Sequence, residues 1–249
     1  MHNWYGKEIS DEIRQGVRDD LTMLNEIEKE EVRDWVVEAW ATSLHFNNFS
    51  AIHELQGSGL KDHAVEKNGN QATHLNGVAM LAKAMGEVFL KKNPDFDIDI
   101  DIMIASALLH DVGKTIEFNM EKRELWMNEP WKEGTLGVPH TAYGYYICKL
   151  IGLPDYLCHV AMYHCREADG RKVFRSIYCD IVHRADYAYW HGLLILGALD
   201  PTYSYSEIHW APYQSRMDFS HNWFKEIVGD RSECPDMKYD DTIPGLRKK

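Results

Sequence analysis

Thirteen histidines occur among the 249 residues, and several fall where apolar segments begin or end. His74 opens an amphipathic stretch in THLNGVAMLA, and His110 and Asp111 close an apolar one in ASALLHDVGKT. His140 opens VPHTAYGYYI, His164 closes LPDYLCHVAMYHC, and Asp186 lies within DIVHRADYAYW. Imidazole nitrogens and carboxylate oxygens suit divalent ions such as iron, manganese, cobalt or zinc. Four histidines and two aspartates left without partners at apolar helix ends would cost about 1–3 kcal/mol each. A shared metal site removes that cost, so the pattern points to a metalloenzyme centred on His110 and Asp111.

The elements that must carry these residues read as helices. Residues 8–47 form two, with Ile13, Val17, Leu21 and Leu24 at helical spacing, then Val32, Trp35, Val36, Ala39 and Trp40. The mixed-charge run Glu26 to Arg33 between them is a solvated face. Residues 56–70 are a loop. It lacks the Lys-Ser/Thr ending and the preceding apolar strand of a phosphate cradle. An amphipathic helix from Gln71 to Leu90 follows, with Val78, Leu81, Ala82, Met85 and Phe89 on one face and Asn93-Pro94 as its stop. Residues 95–101 are an acidic linker and N-cap region for the helix Ile100 to His110. Further helices run over Thr141 to Ile151, Asp155 to Cys165 and Arg175 to Leu199, the first two parted by Gly152-Leu153-Pro154. Segment 115–139, with Trp126 and Trp131, reads as an ordered loop or short hairpin able to act as a lid. The tail 201–249 mixes short helical signals with irregular stretches. The expectation is an all-α bundle in a single domain, 1–249. Its core spans about 71–199, with a helical N-terminal extension over 8–55 and a partly irregular C-terminal extension over 200–249.

Charge and composition narrow the partners. A formal net charge of -12 repels nucleic-acid phosphates, so no nucleic-acid partner is expected. A small anionic substrate remains compatible, because a bound metal inverts the local sign. The apolar runs are too short to span a bilayer and the N-terminus lacks a signal-peptide core, so the expectation is a cytoplasmic protein with no membrane partner. Cys148, Cys158, Cys165, Cys179 and Cys234 form no C-x-x-C pair and read as reduced thiols. A homo-oligomer is compatible with these features.

The ordered set H…HD…H…H…D, spread from about Gln71 to Trp190, resembles the HD-domain superfamily of metal-dependent phosphohydrolases, and LLHDVGK is its strongest piece. That resemblance implies an HD-type helical bundle and a two-metal site. His74, His110, Asp111 and Asp186 would hold one divalent ion and His140 and His164 a second, with Asp111 bridging. The metal would be manganese, iron, cobalt or zinc. Lys114 would face a small-molecule substrate, and His183 would support the metal shell or touch substrate. His63 competes with His74, and Asp180 with Asp186. The implied reaction is hydrolysis through a metal-bound hydroxide, with a phosphate ester or nucleotide as leading substrate. Lys114, with Arg184 or Arg166, would offset the developing charge. Two other classes use such a site: hydrolysis of a carbon–carbon or carbon–nitrogen bond in a ring substrate, and oxidation by a mixed-valence di-iron centre with O₂.

Overall fold

The segment Ile100–Leu109 has no polar face. Every residue from Asp101 to Leu109 is buried, so it needs neighbours around its whole circumference. The computed structural model describes residues 8–57, 65–129, 132, 139–165 and 174–200. In chain order its helices are α1 (Asp11–Asp20), α2 (Glu30–Phe46), α3 (Gln71–Lys92), α4 (Ile100–Leu109), α5 (Lys114–Phe118), α6 (Met120–Asn128), α7 (His140–Leu150), α8 (Asp155–Tyr163) and α9 (Ile177–Ile195). Helix α4 is the axis of the bundle, with α2, α3, α8 and α9 packed around it. One apolar cluster runs from Val17, Trp40 and Leu44 through Leu75, Met103 and Leu108 to Leu157 and Val182. The fold is all-α; its strand content among the described residues is the antiparallel pair Val65–Glu66 and Leu199–Asp200.

Local chemistry sets the helix starts. Asp99 caps α4 by accepting from the backbone N–H of Asp101 and Ile102. Asn70 and Thr73 form a reciprocal capping box at the start of α3. The acidic linker also reaches further. Asp101 accepts from the backbone N–H groups of Glu28 and Lys29, at 3.0 and 2.9 Å, and so ties the start of α2 to the central helix.

The structure corrects several expectations. Segment 115–139 is not a loop or hairpin over its described part: it is α5 and α6, joined at Asn119, whose side chain accepts from Lys122 N–H. The helix formers Glu, Lys, Arg, Leu and Met of 120–128 outweigh the scattered Trp, Pro and Gly that suggested a loop. The Trp126 side chain and Trp131 lie outside the described residues, as do Arg166, His63 and the tail 201–249. The buried stripe of α3 is Leu75, Val78, Ala79, Ala82 and Gly86, whereas Leu81 and Phe89 are partly exposed. A 3.6-residue period puts Leu81 off the stripe that starts at Leu75, whereas Phe89 keeps its phase and is exposed in the last turn of the helix. The last helix ends at Ile195, and Leu199–Asp200 pairs with part of the 56–70 loop.

Candidate metal centre

The His110-Asp111 turn is built by satisfying the carbonyls at the end of α4. A helix end leaves its last C=O groups without intrahelical donors. Here Ala107 O accepts from His110 Nδ1 at 2.6 Å, and Leu108 O accepts from the Trp40 indole at 2.7 Å. Leu109 O accepts from Val112 N–H, and Val112 O accepts from Ser43 Oγ at 2.5 Å. A buried network of Ser43, Asn47, Thr115 and Tyr143 extends this anchorage. Two residues of α2 thus hold the turn from behind. Gly113 then lets α7 approach: a Cβ there would lie 2.0 Å from His140 O and 2.5 Å from Gly144 N.

These supports bring five elements to one point. Asp111 Oδ2 lies 3.6 Å from His74 Nε2 and 3.5 Å from His110 Nε2. Its other oxygen, Oδ1, lies 3.5 Å from His140 Nε2 and 3.4 Å from His164 Nε2. Asp186 joins the first group, with Oδ1 3.4 Å from His74 Nε2. One carboxylate therefore divides its two oxygens between two histidine pairs.

The far side of each ring explains what the near side wants. His110 Nδ1 faces Ala107 O, His164 Nδ1 faces the carbonyls of Val160 and Ala161 at 3.2 Å, and His140 Nδ1 faces Glu117 Oε1 at 2.9 Å. All of these are acceptors, so Nδ1 is a protonated nitrogen in these three rings and Nε2 is the nitrogen turned inward, while His74 Nδ1 is buried without a hydrogen-bond partner. Lone pairs then face carboxylate oxygens, and each gap needs a cation or an added proton. Burial works against the added proton: it pushes His74 well below the ordinary histidine range and lowers His110. Asp186 Oδ1 is buried without a hydrogen-bond partner. The donor set, imidazole nitrogens and carboxylates converging in a buried site, fits divalent metal ions.

Electrostatics sharpen the contrast between the two aspartates. Burial pushes the Asp111 carboxyl up, but the pull of His110 and Lys114 outweighs it and holds the group well below its ordinary value. Burial pushes Asp186 up to about 6, against the opposing influence of His110. Trp190 hydrogen-bonds to Asp186 and also stacks on His74, ring centroids 4.8 Å apart. Tyr189 meets the His74 ring edge-on, and a Cβ on Gly77 would lie 2.2 Å from the Tyr189 ring.

The six residues expected to bind metal are thus together. Lys114 is buried, 4% exposed, and donates to Glu117 Oε2 at 3.3 Å. His183 donates from Nδ1 to His164 O at 2.6 Å and so braces the end of α8. Arg184 is not at the centre; its exposed guanidinium pairs with Asp180 at 2.7 Å, one turn away on α9, which also takes Asp180 out of contention with Asp186. Two further residues escaped the sequence reading. Gln71 Nε2 donates to Asp111 Oδ2 at 2.9 Å, and Glu117 accepts from both the ring and the backbone N–H of His140. A signal existed for each, since Gln71 lies one helical turn before His74 and Glu117 one turn after Lys114.

A family model described as HD domain matches residues 72–189. No curated protein and no solved structure matches the chain.

Proposed function

The segment 72–189 is an HD domain, a family whose members are generally metal-dependent hydrolases, and from that premise we propose that the protein hydrolyses a phosphate ester or nucleotide with two divalent ions. The observation that carries the reading is the division of Asp111, one oxygen toward His74 and His110 and the other toward His140 and His164. In this reading His74, His110 and Asp186 hold one ion, His140 and His164 the other, and Asp111 both. Two such ions would supply a water nucleophile at neutral pH and charge neutralisation on the transferred group.

The chain's own residues set the conditions for that chemistry. Two divalent ions against the carboxylates of Asp111 and Asp186 leave a net positive centre, suited to an anionic oxygen. Lys114 and Glu117 neutralise each other within 3.3 Å, so the attraction for substrate comes from the centre rather than from a free lysine. Gln71 fixes the plane of Asp111, and His183 fixes the backbone that carries His164. Glu117 holds the His140 ring in the tautomer that offers Nε2.

Glu117→Gln is expected to weaken metal retention by about 10–100-fold, the usual effect of losing a carboxylate behind a ligating histidine. Titration against a chelator measures it, and unchanged retention would show that Glu117 does not orient His140.

The reaction class is tested with ¹⁸O. A phosphomonoester and nucleotide panel is assayed without O₂, in ¹⁸O-water, with Mn²⁺, Zn²⁺, Co²⁺ or Fe²⁺. The expected result is anaerobic turnover, support by redox-inert ions, and one solvent oxygen in the released phosphate. Activity that requires iron and O₂, with label arriving from ¹⁸O₂, would replace hydrolysis by oxidation. Anaerobic turnover confined to ring diketones or amides would retain hydrolysis and reject phosphorus.

A further inference from the structure

The end of α8 carries a second potential donor beside His164. One ring nitrogen of His140, one of His164 and the Sγ of Cys165 all lie within 4.8 Å of one another. With Nδ1 of His140 turned to Glu117 and Nδ1 of His164 to the α8 carbonyls, Nε2 is the nitrogen each ring offers. His140 and His164 are buried and Cys165 is partly buried.

The backbone around Cys165 is held from both sides. Arg175 donates to Tyr163 O at 2.8 Å and to Cys165 O at 3.0 Å, and His183 donates to His164 O at 2.6 Å. Three successive carbonyls are therefore tied to the start and first turns of the α9 segment. Such anchorage fixes where the Cys165 Cβ projects. Cys148, Cys158 and Cys179, by contrast, are fully enclosed in the apolar cluster.

We propose that Cys165 is a thiolate ligand of the ion held by His140 and His164, which adds sulfur to the nitrogen donors and the shared Asp111 oxygen of this half of the centre and makes it selective for thiophilic borderline ions. The inference rests on the reading of the cluster as a metal centre. Thiolate sulfur favours zinc, cobalt and iron(II), whereas magnesium and manganese favour oxygen. The half of the centre at His74, His110 and Asp186 has only nitrogen and oxygen donors, so the two halves differ in the ions they retain. Ligation converts the Cys165 thiol to a thiolate and releases its proton to solvent, so binding at this half strengthens as pH rises.

The test is Co²⁺ loading of the full-length protein, reduced and without O₂, followed by elemental analysis and absorption spectroscopy. The expected spectrum has the visible bands of bound cobalt and a near-ultraviolet sulfur-to-cobalt charge-transfer band. In Cys165→Ser that band is lost while the visible bands of the remaining cobalt persist. His140→Ala, which removes a different ligand of the same ion, also loses it. Iodoacetamide labelling read by peptide mass gives a second measure, with Cys165 alkylated in the metal-free protein and protected after loading. Bound cobalt with no charge-transfer band, or a band that survives Cys165→Ser, overturns the thiolate ligand and leaves the metal centre standing. A reduced, folded protein that takes up no cobalt, nor any other divalent ion, overturns the centre itself and the ligand with it.

Discussion

Asp111→Ala yields a folded chain that retains no divalent metal and turns over no substrate. Asp111 stands between both histidine pairs, so its loss removes a donor from each half at once. Losing a residue that only orients a ligand already costs about 10–100-fold in metal affinity or activity; a shared ligand costs more than about 100-fold by the same measure. The fold survives because α4 is held by apolar packing along its whole length and by Trp40 and Ser43 on its terminal carbonyls. The local loss is the acceptor of Gln71 Nε2, worth about 1–3 kcal/mol if the amide is left unpaired. Elemental analysis after dialysis, turnover, and far-ultraviolet circular dichroism together measure the outcome. Normal metal content and turnover in Asp111→Ala would remove the centre from this place in the molecule.

Gly113→Ala is expected to be the most damaging glycine-to-alanine change among the described residues. The added Cβ would meet backbone atoms, His140 O at 2.0 Å and Gly144 N at 2.5 Å, and backbone cannot rotate aside as a side chain can. Helix α7 must move away from the turn after Asp111, and His140 moves with it. Overpacking of this kind costs about 1–3 kcal/mol, and the upper end applies against backbone. For a chain of this size, roughly 2–4 °C of melting temperature is lost per kcal/mol, so Tm falls by roughly 6–12 °C. On the proposed two-ion reading the displaced His140 also gives a functional signature: retention of the ion it would share with His164 weakens more than retention of the ion at His74 and His110. A Tm within a degree or two of the parent, with both ions retained equally, would mean that α7 does not need this close approach.

The residue types at helix ends were legible before any coordinates. A His opening an amphipathic run, an apolar run closing on His-Asp, and a Gly-Leu-Pro break between two helices are local signals, because caps, stops and the 3.6-residue period act over one or two turns. They marked His74, His110, Asp111, His140 and His164 and the all-α class, whereas Asp186, inside a helix, was singled out by what the resemblance to the HD domain implies. The α4 helix was legible for the same reason, since a continuous apolar run of that length bounded by an acidic cap has no competing reading here. Segment 120–128 is helical although Trp126 and Trp131 suggest a loop, because the helix formers around them dominate locally. On α3 the periodic reading set Leu81 and Phe89 on one face with Val78 and Ala82, whereas the buried stripe runs from Leu75 through Val78, Ala79 and Ala82 to Gly86; contact with α4 and α9 decides that.

What only the tertiary structure decided is how each ring and each carboxylate is turned. Asp111 divides its oxygens because α3 and α9 approach from one side and α7 and α8 from the other, and those are contacts between segments far apart in the chain. Glu117 lies behind His140, His183 behind the His164 backbone, and Ser43 and Trp40 behind the turn itself, at separations of 19 to 69 residues. Arg184 could face a substrate by its type but is drawn to Asp180 on the surface, one helical turn away. Cys165 read as one more reduced thiol until the end of α8 was seen to set it beside His140 and His164. Sequence spacing carries which residues share a helix face; the direction of a lone pair depends on what stands on the opposite side of the ring, and that is supplied by packing between helices.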